Sequence, residues 1–311
     1  MNLIDFQDQF PDEKSCKQWF REYRERIGVV CKKCSNSTHY WHKTSESFQC
    51  KQCTFRTGLR SGTVMHASKL SFRYWFIAMH LLTSTKKSFS AKEIQRQLGH
   101  NRYEPIWMML HKIRSVMGLR DDEYSIDGEI ELDEGFFETV DRDYDKQTPL
   151  KRGRGSQKQT TVLVMVESKV VDKKKQQKNR PIKKVNHIKM KVINSVSWNE
   201  IKFKVNEHVD PNASATTDGC SSYNNLDTII ESHYSEITTK ENVAKLLPWV
   251  HIAISNAKKL LLNTYHRIDD DFLQNYLNEF CYKFNRRYFQ EKLFDRLLLA
   301  AVSNQWNYLG G

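Results

Sequence analysis

Four cysteines in two closely spaced pairs restrict the fold of this chain more than any other feature. Cys31-Lys-Lys-Cys34 and Cys50-Lys-Gln-Cys53 are two CxxC pairs, fifteen residues apart. The spacing lets the thiolates of each pair point at one centre, and two pairs complete a tetrahedral Zn²⁺ site without an open position. This predicts a zinc ribbon at residues 27–62, with a disulfide pair as the alternative. Because a closed site is structural, we expect the metal to hold a binding module together.

The charge balance indicates a polyanionic partner. The 311 residues include 49 Lys+Arg against 37 Asp+Glu, for a formal net charge of +12. Nucleic acid is the partner that such a balance favours. An acidic membrane surface is the weaker interpretation, because the chain shows no basic amphipathic or lipidated segment.

The cellular location is expected to be cytoplasmic. The start, Met1-Asn-Leu-Ile-Asp-Phe6, is acidic and has no long apolar run, so it does not resemble a signal peptide. No stretch approaches the length of a membrane span. The cysteine count is odd, with Cys16, Cys220 and Cys281 scattered outside the ribbon, which is typical of a reducing compartment.

Residues 63–120, which follow a short helical segment at 1–26 and the ribbon, are predicted to be helical. Ser90 and Glu93 have the spacing of a capping box, and Gly99 ends the short helix that follows. A further helix begins near Tyr103, so the pattern is that of a helix-turn-helix. A purely structural bundle is the alternative. On the DNA-binding interpretation, Lys112 and Arg114 of the last helix contact DNA.

The period changes from helical to two near residue 126, which predicts an α/β domain at 121–304. Ile126, Ile130 and Leu132 alternate with four acids, and further strands are expected at residues 160–167, 185–193 and 213–217. Helices are expected at about 198–209, 248–262, 270–285 and 290–302. Strands first and helices afterwards indicate a mixed sheet flanked by helices.

Two strongly basic loops interrupt this domain. Residues 151–158 form one, and residues 169–184 hold eight Lys/Arg and a single acid. Such loops are usually solvated surface, but two of them on one side of a sheet favour a phosphate-binding groove. The side chains predicted to bind DNA there are Lys151, Arg152, Arg154, Lys173, Lys174 and Lys175.

Two aspartates mark the predicted ends of neighbouring strands. Asp133 lies in Glu131-Leu-Asp-Glu-Gly135, and Asp218 lies in Thr216-Thr-Asp-Gly-Cys220. Taken singly, either is a turn or cap residue. Together they are hard oxygen ligands suited to Mg²⁺, and a pair of such ions activates a water or 3′-hydroxyl and stabilises the leaving oxygen of a phosphodiester.

The layout resembles that of bacterial insertion-sequence transposases of the ISXO-like group. The matching positions span about residues 28–290: Cys31, Cys34, Cys50, Cys53, Leu132-Asp-Glu134, Thr217-Asp-Gly219, Tyr223, Leu226, the segment at 258–266, and Tyr276-Leu-Asn-Glu-Phe-Cys-Tyr-Lys-Phe-Asn-Arg286. The resemblance implies a zinc ribbon and helix-turn-helix followed by a ribonuclease-H-like DDE catalytic domain, with Asp133 and Asp218 as the first two metal ligands.

The third ligand position departs from the pattern of that family. There it normally lies seven residues before a Lys and is often Glu; Lys258 matches the Lys, which places His251 at the third position. Imidazole is a poorer ligand for Mg²⁺ than carboxylate and a better one for Mn²⁺. Asn256 and Glu279 are the alternatives. Lys258, and Lys259 beside it, are expected to contact DNA.

Three functions remain open on this interpretation. The first is a DNA transposase that binds terminal inverted repeats, cleaves strands and joins the freed 3′-hydroxyl to target DNA with Mg²⁺ or Mn²⁺. Because two ends must meet, at least a dimer on DNA is expected. The second is a non-catalytic, sequence-specific DNA-binding regulator derived from a transposase. The third is a ribonuclease or Holliday-junction-type nuclease on the same fold.

Overall fold

The chain folds into two compact units. The computed structural model describes residues 1–140, 156–171, 182–237, 239 and 246–303. The first unit, here the ribbon unit, comprises Met1–Leu119 together with the C-terminal segment from Tyr288; the second, here the sheet unit, is Arg120–Arg287.

The helices and strands of the described residues follow in chain order. They are α1 (Leu3–Gln9), α2 (Glu13–Ile27), β1 (His39–His42), β2 (Ser47–Cys50), β3 (Arg56–Gly58), α3 (Phe72–Ser84), α4 (Ala91–Leu98), α5 (Tyr103–Asp122), β4 (Glu129–Glu138), β5 (Gln159–Val170), β6 (Lys183–Val192), α6 (Trp198–His208), β7 (Ser214–Asp218), β8 (Ser232–Glu236), α7 (Pro248–Thr264), α8 (Asp270–Asn285) and α9 (Leu293–Ser303).

The zinc-ribbon region is a small antiparallel sheet of β1, β2 and β3, in that order. Helix α2 packs against it through two arginines. The Arg21 guanidinium lies 4.6 Å from the ring centroid of Trp41, and Arg24 donates to the Leu59 carbonyl at 2.7 Å. The helix therefore supports a sheet too small to bury a core of its own.

Helices α4 and α5 form the predicted helix, short turn and helix. The Ser90 hydroxyl accepts the Glu93 N–H at 3.1 Å, as the predicted cap requires. The Glu93 carboxylate bonds Arg96 rather than closing the capping box. Gly99 ends α4 with φ +61°, the left-handed conformation that glycine adopts without strain.

Helix α9 belongs to the ribbon unit, whereas the sequence analysis placed it in the α/β domain of residues 121–304. The ring of Phe294 packs edge-on against the rings of Phe6, Phe10 and Phe76 at centroid distances of 5.5–6.5 Å. Hydrophobic periodicity shows which face of a helix is buried but does not show which core receives it, so the sequence alone could not assign this helix to a unit.

The sheet unit is built on a five-stranded mixed sheet of order β6-β5-β4-β7-β8. Strands β4, β5 and β6 are antiparallel neighbours, while β7 and β8 run parallel to β4. This is the ribonuclease-H-like arrangement that the resemblance implied, and it confirms the predicted fold class. Strand β8, with the polar sequence Ser-His-Tyr-Ser-Glu, was not predicted.

Each face of this sheet carries its own core. Val162, Val164 and Val166 of β5 point to the face covered by α7 and α8. Leu163 and Met165 point to the opposite face, which α6 covers. Because side chains alternate along a strand, the odd-numbered residues of β4 from Glu131 to Phe137 lie on the α7 face.

Candidate active site

Asp133 and Asp218 are neighbours on adjacent strands. The parallel pairing of β4 with β7 ends at Leu132 opposite Thr217, so the next residue on each strand is one of the two aspartates. Asp218 ends β7, as predicted. Asp133 was predicted to end its strand but is the fifth of ten residues in β4. Only the pairing with β7 ends, at Leu132, and the strand continues past Asp133.

The electrostatics of this pair favour a cation. The Asp133 side chain is 15% exposed, and its Oδ1 accepts the Glu134 N–H at 2.8 Å. Burial, with a smaller contribution from the negative charge of Asp218, raises the pKa of Asp133 to about 6. A cation bound between two such carboxylates relieves both effects.

His251 of α7 lies beside Asp133. Its Nδ1 is 3.6 Å from Asp133 Oδ2, and the side chain is 39% exposed. Burial lowers the pKa of His251, opposed by the negative charge of Asp218, so the ring is neutral at neutral pH, the form that ligates metals. Its Nε2 is buried and has no hydrogen-bond partner in the described part of the chain.

Glu131 fixes the start of α7 against β4. Its Oε2 accepts the backbone N–H groups of Trp249 and Val250, each at 2.8 Å. A carboxylate from the strand thus caps the first turn of the helix, where Pro248 needs no partner. Burial raises the pKa of Glu131 to about 7, although the two hydrogen bonds favour the charged carboxylate and act to lower the pKa. The cap lies two residues before Asp133 and directly before His251.

Two glycines allow close packing around the aspartates. A Cβ at Gly135 would lie 2.9 Å from the Phe137 ring and 3.4 Å from Ile254 of α7. A Cβ at Gly219 would lie 2.7 Å from Ile237 and 3.0 Å from its Cα. Glycine at 219 therefore allows the backbone of Ile237 to approach closely.

Lys258 lies further along the same helix. Its ammonium is 5.6 Å from the ring centroid of Phe137, which shares the α7 face of β4 with Asp133. Helix α7 therefore runs alongside β4, with His251 near Asp133, Ile254 near Gly135 and Lys258 near Phe137.

Glu134 and Tyr223 form a polar pair that the sequence analysis did not assign to a site. The Tyr223 hydroxyl donates to Glu134 Oε1 at 2.5 Å. Burial, with the charge of Glu134, raises the pKa of Tyr223 further above its ordinary value. The Asp133-Glu134 dipeptide could have drawn attention to Glu134. Because successive side chains of a strand alternate, however, Glu134 lies on the opposite face of the sheet from Asp133.

The four cysteines converge on one point. The Sγ atoms of Cys31 and Cys53 are 3.5 Å apart, those of Cys34 and Cys50 are 3.5 Å apart, and all four lie within 4.8 Å of one another. Zn–S bonds of about 2.3 Å in a tetrahedron place sulfurs about 3.8 Å apart. The cluster fits a closed structural zinc site. The ligand atoms of Asp133, Asp218 and His251 do not form so tight a cluster.

A profile of the ISXO2-like transposase domain matches residues 125–285, which is more than half of the chain. The chain belongs to the ISXO2-like transposase family. The match includes Asp133, Asp218, His251 and Lys258. No curated protein matches the sequence significantly.

Solved structures resemble this transposase-family chain only distantly. A crystal structure of the Mos1 strand transfer complex has 13% identity, covers 75% of this chain and 79% of its own, and has a TM-score of 0.30. A pre-cleavage Mos1 transpososome has 12% identity, coverages of 96% and 90%, and a TM-score of 0.28. Likenesses at this level carry no argument about function.

The two alternatives for the third ligand of this family member lie elsewhere. Glu279 is 1% exposed on α8, a helix held to β6 by hydrogen bonds of Gln274 and Asn285 with its backbone. Its carboxylate lies 3.6 Å from Lys283. Strand β5 lies between β6 and β4 in the sheet. Asn256 is exposed on α7.

The structure places the predicted DNA contacts unevenly. Lys112 and Arg114 are 8% and 1% exposed, and they donate to the carbonyls of His66 and Phe89. Both cations are therefore bound by backbone carbonyls in this structure, and their contact with DNA stays a prediction. Lys259 is exposed on α7. The remaining six predicted contacts lie outside the described residues: Lys151, Arg152, Arg154, Lys173, Lys174 and Lys175.

Within the described residues, no helix is both long and apolar enough to cross a membrane.

Proposed function

We propose that this protein is a DNA transposase that binds the ends of an insertion sequence, cleaves a strand at each end and joins the freed 3′-hydroxyl to target DNA. The observation that carries the proposal is the pairing of Asp133 with Asp218 where the β4–β7 ladder ends, with His251 beside them. A buried carboxylate next to a second one suits a divalent cation.

Asp133, Asp218 and His251 are the proposed ligands of Mg²⁺ or Mn²⁺. When bound, such ions activate a water or 3′-hydroxyl and stabilise the leaving oxygen. The neutral imidazole supplies one nitrogen donor, which favours Mn²⁺ over Mg²⁺. Its buried, unpartnered Nε2 is the observation on this structure that fits a ligand role.

Other residues of the chain hold the substrate and the ligands in place. Glu131 and Gly135 keep α7 against β4, which sets the position of His251. Lys258 and Lys259 on α7 are proposed to contact DNA phosphates near the cleaved bond. The zinc-loaded ribbon and the α4–α5 pair are proposed to bind the ends. Because two ends must meet, the active species is at least a dimer.

The test is strand cleavage and joining on a duplex that carries the terminal repeat flanking the gene. Asp133→Asn and Asp218→Asn should each lower cleavage by at least about 100-fold, which corresponds to about 2.7 kcal/mol of transition-state stabilisation. Binding of the duplex should not change. Asp127→Asn is the matched control, since its side chain is 62% exposed before β4 and pairs with Lys169.

His251→Glu tests the third position separately. The substitution introduces the carboxylate that related transposases often have at this position. Because carboxylate is a better ligand for Mg²⁺ than imidazole is, activity with Mg²⁺ should rise relative to activity with Mn²⁺. Full cleavage by Asp218→Asn would remove Asp218 from the site. Tight specific binding without cleavage in the wild type would favour the non-catalytic regulator, and cleavage without joining would favour a nuclease.

A further inference from the structure

The small sheet of β1, β2 and β3 has one packed face and one open face. Trp41, Phe48 and Thr57 are paired across the three strands. The guanidinium of Arg21 lies over the ring of Trp41, and that of Arg24 lies 5.5 Å from the ring centroid of Phe48. Helix α2 therefore covers the face on which these side chains lie. Because side chains alternate along a strand, their neighbours in sequence lie on the opposite face.

One row of side chains crosses this opposite face. The register pairs Tyr40 of β1 with Gln49 of β2, and Gln49 with Arg56 of β3. These three residues are here called the outer row. Tyr40 is 45% exposed, Arg56 is exposed, and Gln49 lies partly buried between them. Arg56 Nε donates to Gln49 Oε1 at 3.3 Å, which leaves the two terminal amino groups of the guanidinium for a partner outside the sheet.

The surroundings of the outer row are cationic. Residues 29–60 contain six Lys or Arg and one acid, Glu46, and none of the residues of β1, β2 and β3 is Asp or Glu. Glu46 forms an ion pair with Lys17 of α2 at 2.8 Å. Four thiolates around one Zn²⁺ add two negative charges, so the ribbon keeps a net positive charge. This balance favours a polyanion, which in the proposed function is DNA.

The dimensions of the sheet suit the major groove of duplex DNA. Three strands about 4.8 Å apart span about 10 Å, and the major groove is about 12 Å wide. Strands β1 and β2 have four residues each and β3 has three, so no strand is longer than about 14 Å. A face of this size can enter the groove with the outer row directed at the base edges.

The side chains of the outer row match groups that bases present in the major groove. Paired N–H donors of arginine bind N7 and O6 of guanine, which is the commonest specific contact there. Because Gln49 already holds the Nε of Arg56, the guanidinium loses less side-chain freedom on binding than an unrestrained arginine does. The apolar ring of Tyr40 can contact a thymine methyl group.

We propose that the outer row reads base edges in the major groove of the element ends, with the guanidinium of Arg56 bonded to a guanine. The proposal rests on the proposed function, because the ribbon must bind those ends. It adds the face and the side chain that distinguish one sequence from another, since phosphate contacts fix the position of a protein on DNA but carry no sequence information directly.

The test is fluorescence anisotropy of the zinc-loaded full chain with the terminal-repeat duplex and with a scrambled duplex of the same composition. The wild type should prefer the repeat. Arg56→Lys keeps the charge but loses the paired donors, so it should bind the repeat at least about fivefold more weakly and the scrambled duplex equally well. Arg26→Lys, at an exposed arginine of α2, is the matched control. Zinc content of about one ion per chain in each variant shows that the ribbon is folded.

Base substitution identifies the guanine. Guanines of the repeat are replaced one at a time by 7-deazaguanine, which lacks the N7 acceptor. Replacement at one position should weaken binding of the wild type by at least about fivefold and leave binding of Arg56→Lys unchanged, because the variant has already lost this contact. If no replacement has this effect, the guanine contact is wrong.

The remaining outcomes separate this proposal from the proposed function. Preference for the repeat retained in full by Arg56→Lys would overturn this proposal alone. Equal losses on both duplexes would make Arg56 a phosphate contact and would overturn it as well. Absence of any preference in the wild type would overturn both this proposal and end binding. If sedimentation shows a DNA-free dimer that Tyr40→Ala dissociates, the face binds a second copy of the chain and not DNA.

Discussion

Glu131 joins strand β4 to the first turn of α7 and thereby determines where His251 lies. Its carboxylate accepts two backbone N–H groups at 2.8 Å in a setting where it is 9% exposed. The N-cap residue of α7 is Leu247, whose apolar side chain cannot accept a hydrogen bond from the start of the helix. The strand residue therefore supplies the acceptor that the helix terminus requires.

We predict that Glu131→Ala lowers the free energy of unfolding by about 2–3 kcal/mol, because two buried donors lose their acceptor. Glu131→Gln keeps an amide oxygen at the same place and should cost about 1 kcal/mol. Urea unfolding of both variants measures this. Glu129→Ala, on the same strand with a side chain 60% exposed, is the control. Equal losses in all three variants would contradict the capping role.

His208 is a buried imidazole whose titration depends on folding. It is 1% exposed at the end of α6. Burial, with smaller contributions from the charges of Lys191 and Lys189, lowers the pKa of His208 to about 2. Below the unfolded pKa of about 6.5, the unfolded chain binds a proton that the folded chain does not. Stability due to this group is therefore lost as the pH falls below about 6.5.

We predict that His208→Gln flattens the acid-side decline of stability, by up to about 1.4 kcal/mol per pH unit. The measurement is urea unfolding of wild type and variant between about pH 4 and pH 7. The difference between the two curves isolates His208 from Glu131 and Asp133, whose raised pKa values act in the opposite direction over this range. His266→Gln, at an exposed histidine of the same unit, is the control for exchanging histidine for glutamine at the surface.

At the scale of elements, the small sheet of β1, β2 and β3 depends on its cysteines. Cys50 ends β2, is fully buried and lies 3.5 Å from Cys34. Without metal, a cluster of this kind rarely stays folded, because metal binding supplies the folding energy.

We predict that Cys50→Ser lowers zinc content from about one ion per chain to near zero, since a closed site needs all four ligands. Hydrogen exchange should accelerate in β1–β3 and remain slow in β4–β6. Cys16→Ser, at a buried cysteine outside the cluster, is the control for zinc content. Retention of stoichiometric zinc by Cys50→Ser would contradict the assignment.

The assignment of α9 to the ribbon unit makes a second prediction about elements. Phe294 is 2% exposed among the rings of Phe6, Phe10 and Phe76. Phe294→Ala should lower the stability of the ribbon unit by about 3–5 kcal/mol. Hydrogen exchange should accelerate in α3 and spare β5. Accelerated exchange in β5 with α3 unaffected would return α9 to the sheet unit.

The sequence predicted those elements whose hydrophobic residues follow a regular period and missed those that depend on other contacts. The strands β4, β5 and β6 and the helices α6, α7 and α8 follow from clear alternation or helical periodicity. Strand β8 was missed because its five residues show no alternation of apolar and polar side chains. It forms a strand through its backbone pairing with β7, which the sequence does not reveal. Lys112 and Arg114 were predicted to contact DNA, and their burial could not be predicted, because charge does not reveal burial when the cation finds backbone acceptors.

At the scale of the whole molecule, the chain combines a net charge of +12 with a small cluster of acids at one point of the sheet. Asp133, Asp218, Glu131 and Glu134 lie on two neighbouring strands. The resemblance supplied the roles of Asp133 and Asp218, and the register of β4 with β7 then showed their side chains at one level. The capping by Glu131 could not be predicted, since it depends on the packing of α7 against the sheet.

The most direct test of the central claim is Mn²⁺ titration of the zinc-loaded full chain by electron paramagnetic resonance above pH 7, where Asp133 is ionised. We predict that Asp133→Asn and Asp218→Asn each weaken Mn²⁺ binding by at least about tenfold, that His251→Ala weakens it too, and that Asp127→Asn does not. Mn²⁺ affinity unchanged in both Asp133→Asn and Asp218→Asn would contradict the claim that these residues form one metal site.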